Sequence, residues 1–104
     1  MNPAAPSEDV FSAIADPTRR RILELLGERP EAVGDLAARF DVSRPAISKH
    51  LRVLSEAGLV RAEADGRRNI YALEPAPFAA VRHWLDGFWN ERLSLLKRLS
   101  ERDA

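Results

Sequence analysis

The stretch Asp41–Leu54, Asp-Val-Ser-Arg-Pro-Ala-Ile-Ser-Lys-His-Leu-Arg-Val-Leu, decides the fold of this 104-residue chain. Ser43 is a favourable N-cap, and Pro45 falls in the first turn, where its missing N–H costs no hydrogen bond. Apolar residues then recur at i, i+4 and i+7, the spacing of an amphipathic helix: Ile47, Leu51 and Leu54. The pattern predicts a helix that begins at Ser43 and buries one stripe.

A second row of the same helix is polar and basic. Arg44, Ser48 and Arg52 follow one another at a spacing of four, and Lys49 lies beside them. Guanidinium, ammonium and hydroxyl groups are donors that suit phosphates and base edges of DNA. Taken alone, such a row is more often the solvated face of an ordinary surface helix, so the neighbouring segments must decide.

Composition narrows the class of protein. With 45% hydrophobic and 31% charged residues, no run of 18 apolar residues and no cysteine, the chain is typical of one soluble, cytoplasmic domain without disulfides. We expect residues 1–6 to be a flexible tail without signal-peptide character and residues 7–104 to form the domain. The net charge is zero, but residues 43–68 hold 6 Lys or Arg against 3 Asp or Glu, so the basic surplus coincides with the predicted helix.

Three shorter helices are predicted before this stretch. Ser7 caps the first helix, which cannot be stable alone, and Asp16-Pro17 opens the second, which Gly27 ends. After a turn at Pro30 and Glu31, the third helix extends from Val33 to Phe40.

The third helix and the basic helix are spaced as a helix-turn-helix. Ala37 is small enough to let the two helices cross closely near Ile47. Asp41 falls at the turn, where a left-handed backbone is common, and Val42 is expected to fill the corner. A turn of about three residues followed by a capped helix is the arrangement of helices that read DNA.

The triplet Arg19-Arg20-Arg21 has two interpretations. The arginines are either a phosphate clamp beside DNA or a solvated helix face that pairs with Asp16 and Glu24, and a short charge run is more often the latter.

A β-hairpin is predicted after the basic helix. Leu59–Ala64 and Asn69–Leu73 have strand character, and Asp65-Gly66 between them is a hairpin signal. Arg67 and Arg68 at its tip are placed to contact phosphates or the minor groove. The predicted fold is mainly α with a small β-hairpin, a winged helix-turn-helix with the order α-α-α-α-β-β-α.

The last predicted helix, Phe78 to about Arg102, is too apolar for one side of a small domain. Two tryptophans and a phenylalanine within six residues suggest a buried interface between subunits, although packing onto the first helix and the hairpin of the same chain remains an alternative. We therefore expect residues 7–15 and 78–102 to form a homodimer interface. Its predicted residues are Val10, Phe11, Ile14, Val81, Trp84, Leu85, Phe88, Trp89, Leu95 and Leu99.

Four segments occur in the order of a known family. They are Ala15–Leu23 (Ala-Asp-Pro-Thr-Arg-Arg-Arg-Ile-Leu), Gly34–Ala37 (Gly-Asp-Leu-Ala), Ser43–Leu54 and Glu56–Val60 (Glu-Ala-Gly-Leu-Val). With them the chain resembles the ArsR/SmtB family of bacterial transcriptional repressors over residues 10–73, and its last helix matches in character only. The resemblance implies a winged helix-turn-helix homodimer that binds a palindromic operator of double-stranded DNA and represses its own operon.

The chain also departs from the metal-sensing members of that family. Those members place cysteines in the segment that corresponds to Ala32–Leu36, and here Ala32 and Gly34 occupy the positions of the thiolates. Another type of site in the family uses His and carboxylates of the last helix. His83 and Asp86 have a suitable spacing for it, but a packed histidine is the more ordinary interpretation. No metal or other cofactor is predicted, and the sequence does not identify the effector.

The predicted DNA contacts lie on the basic helix and the hairpin, with Pro45 fixing the entry of the helix. They are Arg44, Pro45, Ser48, Lys49, His50, Arg52, Arg67 and Arg68. An enzyme is disfavoured because the chain has no cysteine, no Gly-rich phosphate loop and no Ser/His/Asp arrangement. A winged helix that contacts only protein or RNA remains the alternative.

Overall fold

The computed structural model describes residues 5–103, so most of the predicted tail lies outside the described residues. Five helices and three strands follow one another along the chain. They are α1 (Glu8–Ile14), α2 (Pro17–Glu28), β1 (Glu31–Ala32), α3 (Val33–Ala37), α4 (Arg44–Glu56), β2 (Val60–Asp65), β3 (Arg68–Leu73) and α5 (Pro75–Asp103). The fold is a winged helix-turn-helix, as predicted from the sequence.

Side-chain caps begin α1, α2 and α4, at the residues predicted from the sequence. Ser7 Oγ accepts from the backbone N–H of Val10 at 3.3 Å, and Ser43 Oγ accepts from that of Ala46 at 3.2 Å. Asp16 Oδ1 accepts from the N–H of Arg19 at 3.0 Å. Each cap satisfies an N–H that the helix cannot pair internally, and each therefore fixes where its helix starts.

The cap of α2 also makes stability depend on pH. The Arg19 N–H, and then the charge of Arg19, hold the pKa of Asp16 below its ordinary value. The cap therefore stabilises fully above the ordinary carboxyl pKa, and its contribution is lost as pH falls through the lowered folded-state value.

We expect Asp16→Ala to lower the free energy of unfolding by about 1 kcal/mol at pH 7. Urea unfolding in steps from about pH 6 to pH 2 should show this difference shrinking at the acid end. Asp16→Asn, which keeps a capping oxygen, is the control and should lose less. A difference that stays constant down to pH 2 would rule out this role of the carboxylate.

The strands form one antiparallel sheet in the order β1-β3-β2. The hairpin of β2 and β3 closes through Gly66 and Arg67, with Asp65 opposite Arg68. Gly66 has φ +63°, whereas no non-glycine residue among those described has a positive φ. This is the pattern of a type II′ turn, whose twist matches that of a hairpin, so the predicted wing is confirmed.

The sheet contains one strand more than the predicted hairpin. Glu31, assigned to a turn from the sequence, instead begins β1 and pairs with Tyr71. Glu31 is only 6% exposed, and its Oε1 accepts hydrogen bonds from Arg39 at 2.5 Å and Arg29 at 3.3 Å. Two residues show no alternation that a sequence pattern could detect, and the buried charge is tolerated because arginines pair with it.

Details of the helix ends also differ from the predictions. Helix α2 continues past Gly27 to Glu28, and α3 ends at Ala37 because the N–H groups of Arg39 and Phe40 bond three residues back. Asp41 does not have a left-handed backbone. Val42 does not fill the corner, since it is 42% exposed.

One cluster of buried side chains joins the helices to the start of the wing. Its fully buried large members are Ile22, Leu36, Ile47, Leu51, Leu54 and Leu59. Ala37 packs against this cluster, as expected where the two helices of the motif cross. Because Ile47, Leu51 and Leu54 face inward, the opposite side of α4 is turned to solvent.

Helix α5 spans 29 residues, of which only the first part packs on the core, through Phe78 and Val81. Beyond that part, its large apolar side chains are exposed. They are Leu85, Phe88, Trp89, Leu93, Leu95, Leu96 and Leu99. None of the helices described has both the length and the apolar character that crossing a membrane requires.

Candidate nucleic-acid interface

The exposed face of α4 presents the polar row predicted from the sequence. Ser43 caps the helix, so Arg44 occupies its first turn, and Ser48 and Arg52 follow at intervals of about one turn. All three side chains are exposed, as are Pro45 and Lys49. The apolar stripe buries the opposite face, and this burial fixes the direction in which the row points.

An open groove of about 510 Å³ separates the start of α4 from the wing. Arg44 and Ser48 lie on one side of the groove, and Arg67 and Arg68 lie on the other. Its remaining lining residues are Ala32, Val33, Gly34, Asp35, Asn69 and Tyr71. Two sets of basic side chains that are distant in sequence therefore border one cleft.

Gly34 forms part of the groove wall next to Arg44. A Cβ added to Gly34 would lie 3.7 Å from Nη1 of Arg44, which is ordinary van der Waals contact. The Arg44 guanidinium therefore lies next to the backbone of α3.

An acidic side chain also lines the groove. Asp35 Oδ2 accepts a hydrogen bond from Nη2 of Arg68 at 2.6 Å, and this bond joins α3 to the wing. Both side chains are more than half exposed, so the ion pair contributes little to stability. Its larger effect is electrostatic, because the carboxylate offsets one positive charge in the groove.

The other cations of this surface lack such a partner. Within the described part of the chain, four of them form no ion pair with a carboxylate: Arg44, Lys49, Arg52 and Arg67. Their charge is available to an external anion, and a polyanion such as the DNA backbone suits several cations at once.

His50 lies apart from this row, on the side of α4 that faces the corner of α1 and α2. Its Nδ1 is 3.3 Å from Nη1 of Arg19, and the residue is half-buried. Like Arg68, which bonds to Asp35, His50 is therefore a predicted DNA contact whose side chain meets another part of the protein.

The arginine triplet of α2 fits the interpretation as a solvated face only in part. Arg21 pairs with Glu24 at 3.0 Å, as that interpretation expects. Arg19 and Arg20 instead donate to backbone carbonyls at the end of α1, and the Arg19 side chain is only 16% exposed. The carbonyls at a helix C-terminus have no partner within the helix and carry partial negative charge, so arginines there stabilise α1.

The predicted dimer residues divide into three groups. Val10 is buried in the core of its own chain, and Ile14 and Val81 pack against that core. Trp84 stacks edge-to-face with Phe11 at 5.0 Å and with Phe88 at 4.7 Å, which joins α1 to α5. Beyond this point Leu85, Trp89, Leu95 and Leu99 remain exposed.

An apolar groove of about 280 Å³ lies between these helices, lined mainly by Val10, Ile14, Leu59, Phe78, Val81 and Leu85, with Arg82 and Asp86 at its polar part. His83 and Asp86 are both exposed on α5. Among the residues that the structure describes, no three His, Asp or Glu side chains come together as metal ligands.

Two features of this surface are not predicted by the sequence. They are the position of Asp35 in the groove, where it bonds to Arg68, and the contact between Arg19 and His50. Both contacts join residues more than 30 positions apart in the chain. No local pattern records such pairs, and only the folded arrangement reveals them.

The comparisons with known proteins agree with this arrangement. The model of the arsR family of bacterial regulatory proteins matches residues 16–62. An HTH-type transcriptional regulator of Mycobacterium tuberculosis is 49% identical over 84 residues, covering 81% of this chain and 78% of the relative. The transcriptional repressor SdpR of Bacillus subtilis is 37% identical over 83 residues, covering 80% of this chain and 92% of the repressor.

One similar protein of known structure is described as a homodimer. It is a homodimeric winged helix-turn-helix DNA-binding domain from Mycobacterium bovis, described as a possible ArsR-family transcriptional regulator. The two folds match with a TM-score of 0.63 at 29% identity, over 82% of this chain and 79% of that domain. The resemblance seen in the sequence is confirmed, and the chain belongs to the ArsR family of bacterial regulatory proteins.

Proposed function

We propose that this protein is a homodimeric transcriptional repressor that binds a palindromic operator in double-stranded DNA, with α4 in the major groove and the wing beside it. The observation that supports the proposal most is the groove between α4 and the wing, where Arg44 and Ser48 face Arg67 and Arg68. Cations from two elements on one open face match the spread of phosphates and base edges along a duplex.

The residues of α4 have distinct roles in this proposal. Arg44 and Ser48, in its first two turns, and Lys49 face base edges, because the N-terminal part of a recognition helix enters the groove. Pro45 fixes the entry of the helix. Arg52, Arg67 and Arg68 contact phosphates or the minor groove, which positions the protein without selecting a sequence.

The dimer forms through α1 and α5, and residues 7–104 form its subunit. The exposed apolar side chains of α5 support this arrangement, since a group of large apolar side chains on one exposed helix is typical of an interface. The M. bovis domain is homodimeric, which supports the same assembly here. Two recognition helices then lie about 34 to 36 Å apart, which matches half-sites one helical turn apart.

A DNA-binding measurement tests the proposal. The purified protein is titrated against a duplex of its own upstream region and against a scrambled duplex, at several salt concentrations. We expect a complex with two chains per site, tighter on the upstream region, whose affinity falls steeply as salt rises. No complex at low salt would contradict the proposal. An affinity that does not change with salt would favour the alternative, a winged helix that contacts only protein or RNA.

Asp35 gives a prediction about non-specific binding. Replacing it with asparagine removes a negative charge from the groove and frees Arg68 from its ion pair. We expect affinity for scrambled DNA to rise about 3- to 10-fold and the salt slope to steepen by about one unit. Fluorescence anisotropy over a salt series measures both quantities, and Asp9→Asn, an exposed acidic residue on α1, is the charge-matched control. An equal rise in affinity for both variants would show that the position of Asp35 in the groove has no effect beyond its charge.

No catalytic step is assigned to this protein, and its relatives are named as regulators of transcription. We place it in the cytoplasm, where a bacterial regulator meets its DNA.

A further inference from the structure

One guanidinium joins three helices at the corner of α1, α2 and α4. Arg19, in the first turn of α2, donates from Nε to the carbonyl of Ala13 at 2.7 Å and from Nη2 to that of Ser12 at 3.1 Å. Its Nη1 lies 3.3 Å from Nδ1 of His50 on α4 and 4.0 Å from Oδ2 of Asp16. The Arg19 side chain is only 16% exposed.

The chemistry of the pair fixes the direction of the bond. A guanidinium has only donors, so Nδ1 of His50 accepts, and a neutral ring must then hold its proton on Nε2. Arg19 thereby determines both the orientation and the tautomer of a side chain on the recognition helix.

These contacts do not fit the phosphate-clamp interpretation of Arg19. All three nitrogens of the guanidinium are engaged within the protein, and the group is largely buried. Reaching a phosphate would require breaking the bonds to α1 and to His50.

The same corner connects α4 with the helices of the proposed dimer interface. Helix α1 has only seven residues and depends on contacts outside itself. At one end Arg19 binds its carbonyls, and along its side Phe11 packs on Trp84 of α5. A continuous series of contacts therefore extends from α5 through α1 and Arg19 to His50.

We propose that Arg19 is a positioning residue for operator recognition, which through His50 holds α4 in a fixed orientation relative to the dimer helices. This inference rests on the proposed function, because the separation of two recognition helices matters only when a dimer binds paired half-sites. Arg19 then acts on specific binding, which needs both helices in register, and hardly on non-specific binding, which does not.

The test is a double-mutant cycle in operator binding. The variants are Arg19→Gln, His50→Ala and the double variant, and each is measured on the operator and on scrambled DNA. His50→Asn tests the hydrogen bond from Arg19, because the side-chain oxygen of asparagine can accept near the position of Nδ1. Histidine and asparagine have similar helix propensity, so the helix itself should change little. Arg20→Gln is the matched control, since Arg20 also donates to carbonyls at the end of α1, of Ile14 and Ala15.

We expect each single variant to weaken operator binding about 10-fold, with less than 2-fold loss on scrambled DNA. The double variant should be little weaker than either single one, His50→Asn should lose less than His50→Ala, and Arg20→Gln should lose little. The dimer, measured by analytical ultracentrifugation, should remain intact in all of them.

Three outcomes would overturn the inference while wild-type protein still binds its operator. Additive losses would mean that Arg19 and His50 act separately. Equal loss on both DNAs with a shallower salt slope for Arg19→Gln would mean a direct phosphate contact. An equal loss for Arg20→Gln would mean that only the capping of α1 matters. Failure of the wild type to bind any operator would instead contradict the proposed function.

Discussion

Replacing Arg44 with alanine is expected to weaken operator binding by about 1 to 3 kcal/mol, which is the value of one good base contact. Arg44 lies in the first turn of α4, has no ion-pair partner within the described residues and is held beside Gly34 at the edge of the groove. Its guanidinium is exposed at the groove, so it is accessible to a base edge.

The comparison that tests this role is between DNA sequences. Anisotropy titrations with operator and scrambled duplexes should show a large loss for Arg44→Ala on the operator and a small one on scrambled DNA. Arg67→Ala on the wing is the control, and it should weaken both duplexes alike. If Arg44→Ala weakened both duplexes equally, the residue would be a phosphate contact without a part in sequence selection.

Replacing Trp89 with glutamate is expected to raise the dissociation constant of the dimer at least about 100-fold. Trp89 is 64% exposed in the isolated chain, so its replacement leaves the core of the subunit intact. In the proposed dimer, the large aromatic side chain contributes strongly, and a carboxylate in its place would be buried without a partner. Operator affinity should fall with the loss of dimer, because one subunit contacts only one half-site.

Sedimentation velocity over a concentration series measures this effect. Asn90→Glu is the control, since it adds the same charge one step around the helix, about 100° away from Trp89. We expect Asn90→Glu to remain dimeric and Trp89→Glu to be monomeric at micromolar concentration, with similar unfolding midpoints of the monomer. A stable dimer of Trp89→Glu would place the interface elsewhere than on this face of α5.

The local chemistry of the sequence determines most of the fold. Ser7, Asp16 and Ser43 cap the helices that they were predicted to cap, and Gly66 supplies the positive φ of the hairpin turn. Such signals act over a few residues, so a sequence contains them in full. The apolar last helix already predicted a dimer interface, and the resemblance to the ArsR family added the palindromic operator, which residue patterns alone do not imply.

The features that the sequence did not predict are contacts between distant parts of the chain. Strand β1 forms because Glu31 lies opposite Tyr71 and is paired by arginines, and neither fact is visible in two residues of sequence. The link between Arg19 and His50 likewise depends on how α2 and α4 pack. Of the candidate site, the basic row was therefore predictable, whereas the groups that restrain it were not.

The most direct test of the central claim, that α4 reads DNA in the major groove, is methylation interference on the operator. In this experiment, guanines are methylated at N7, an acceptor that faces the major groove, and bound DNA is separated from free DNA. Where a methyl group blocks binding, the methylated guanine is depleted from the bound fraction. We expect methylation to block binding in two patches about 10 base pairs apart, one for each α4 of a dimer. Interference only from adenines methylated at N3, an acceptor in the minor groove, or from no position at all, would contradict it.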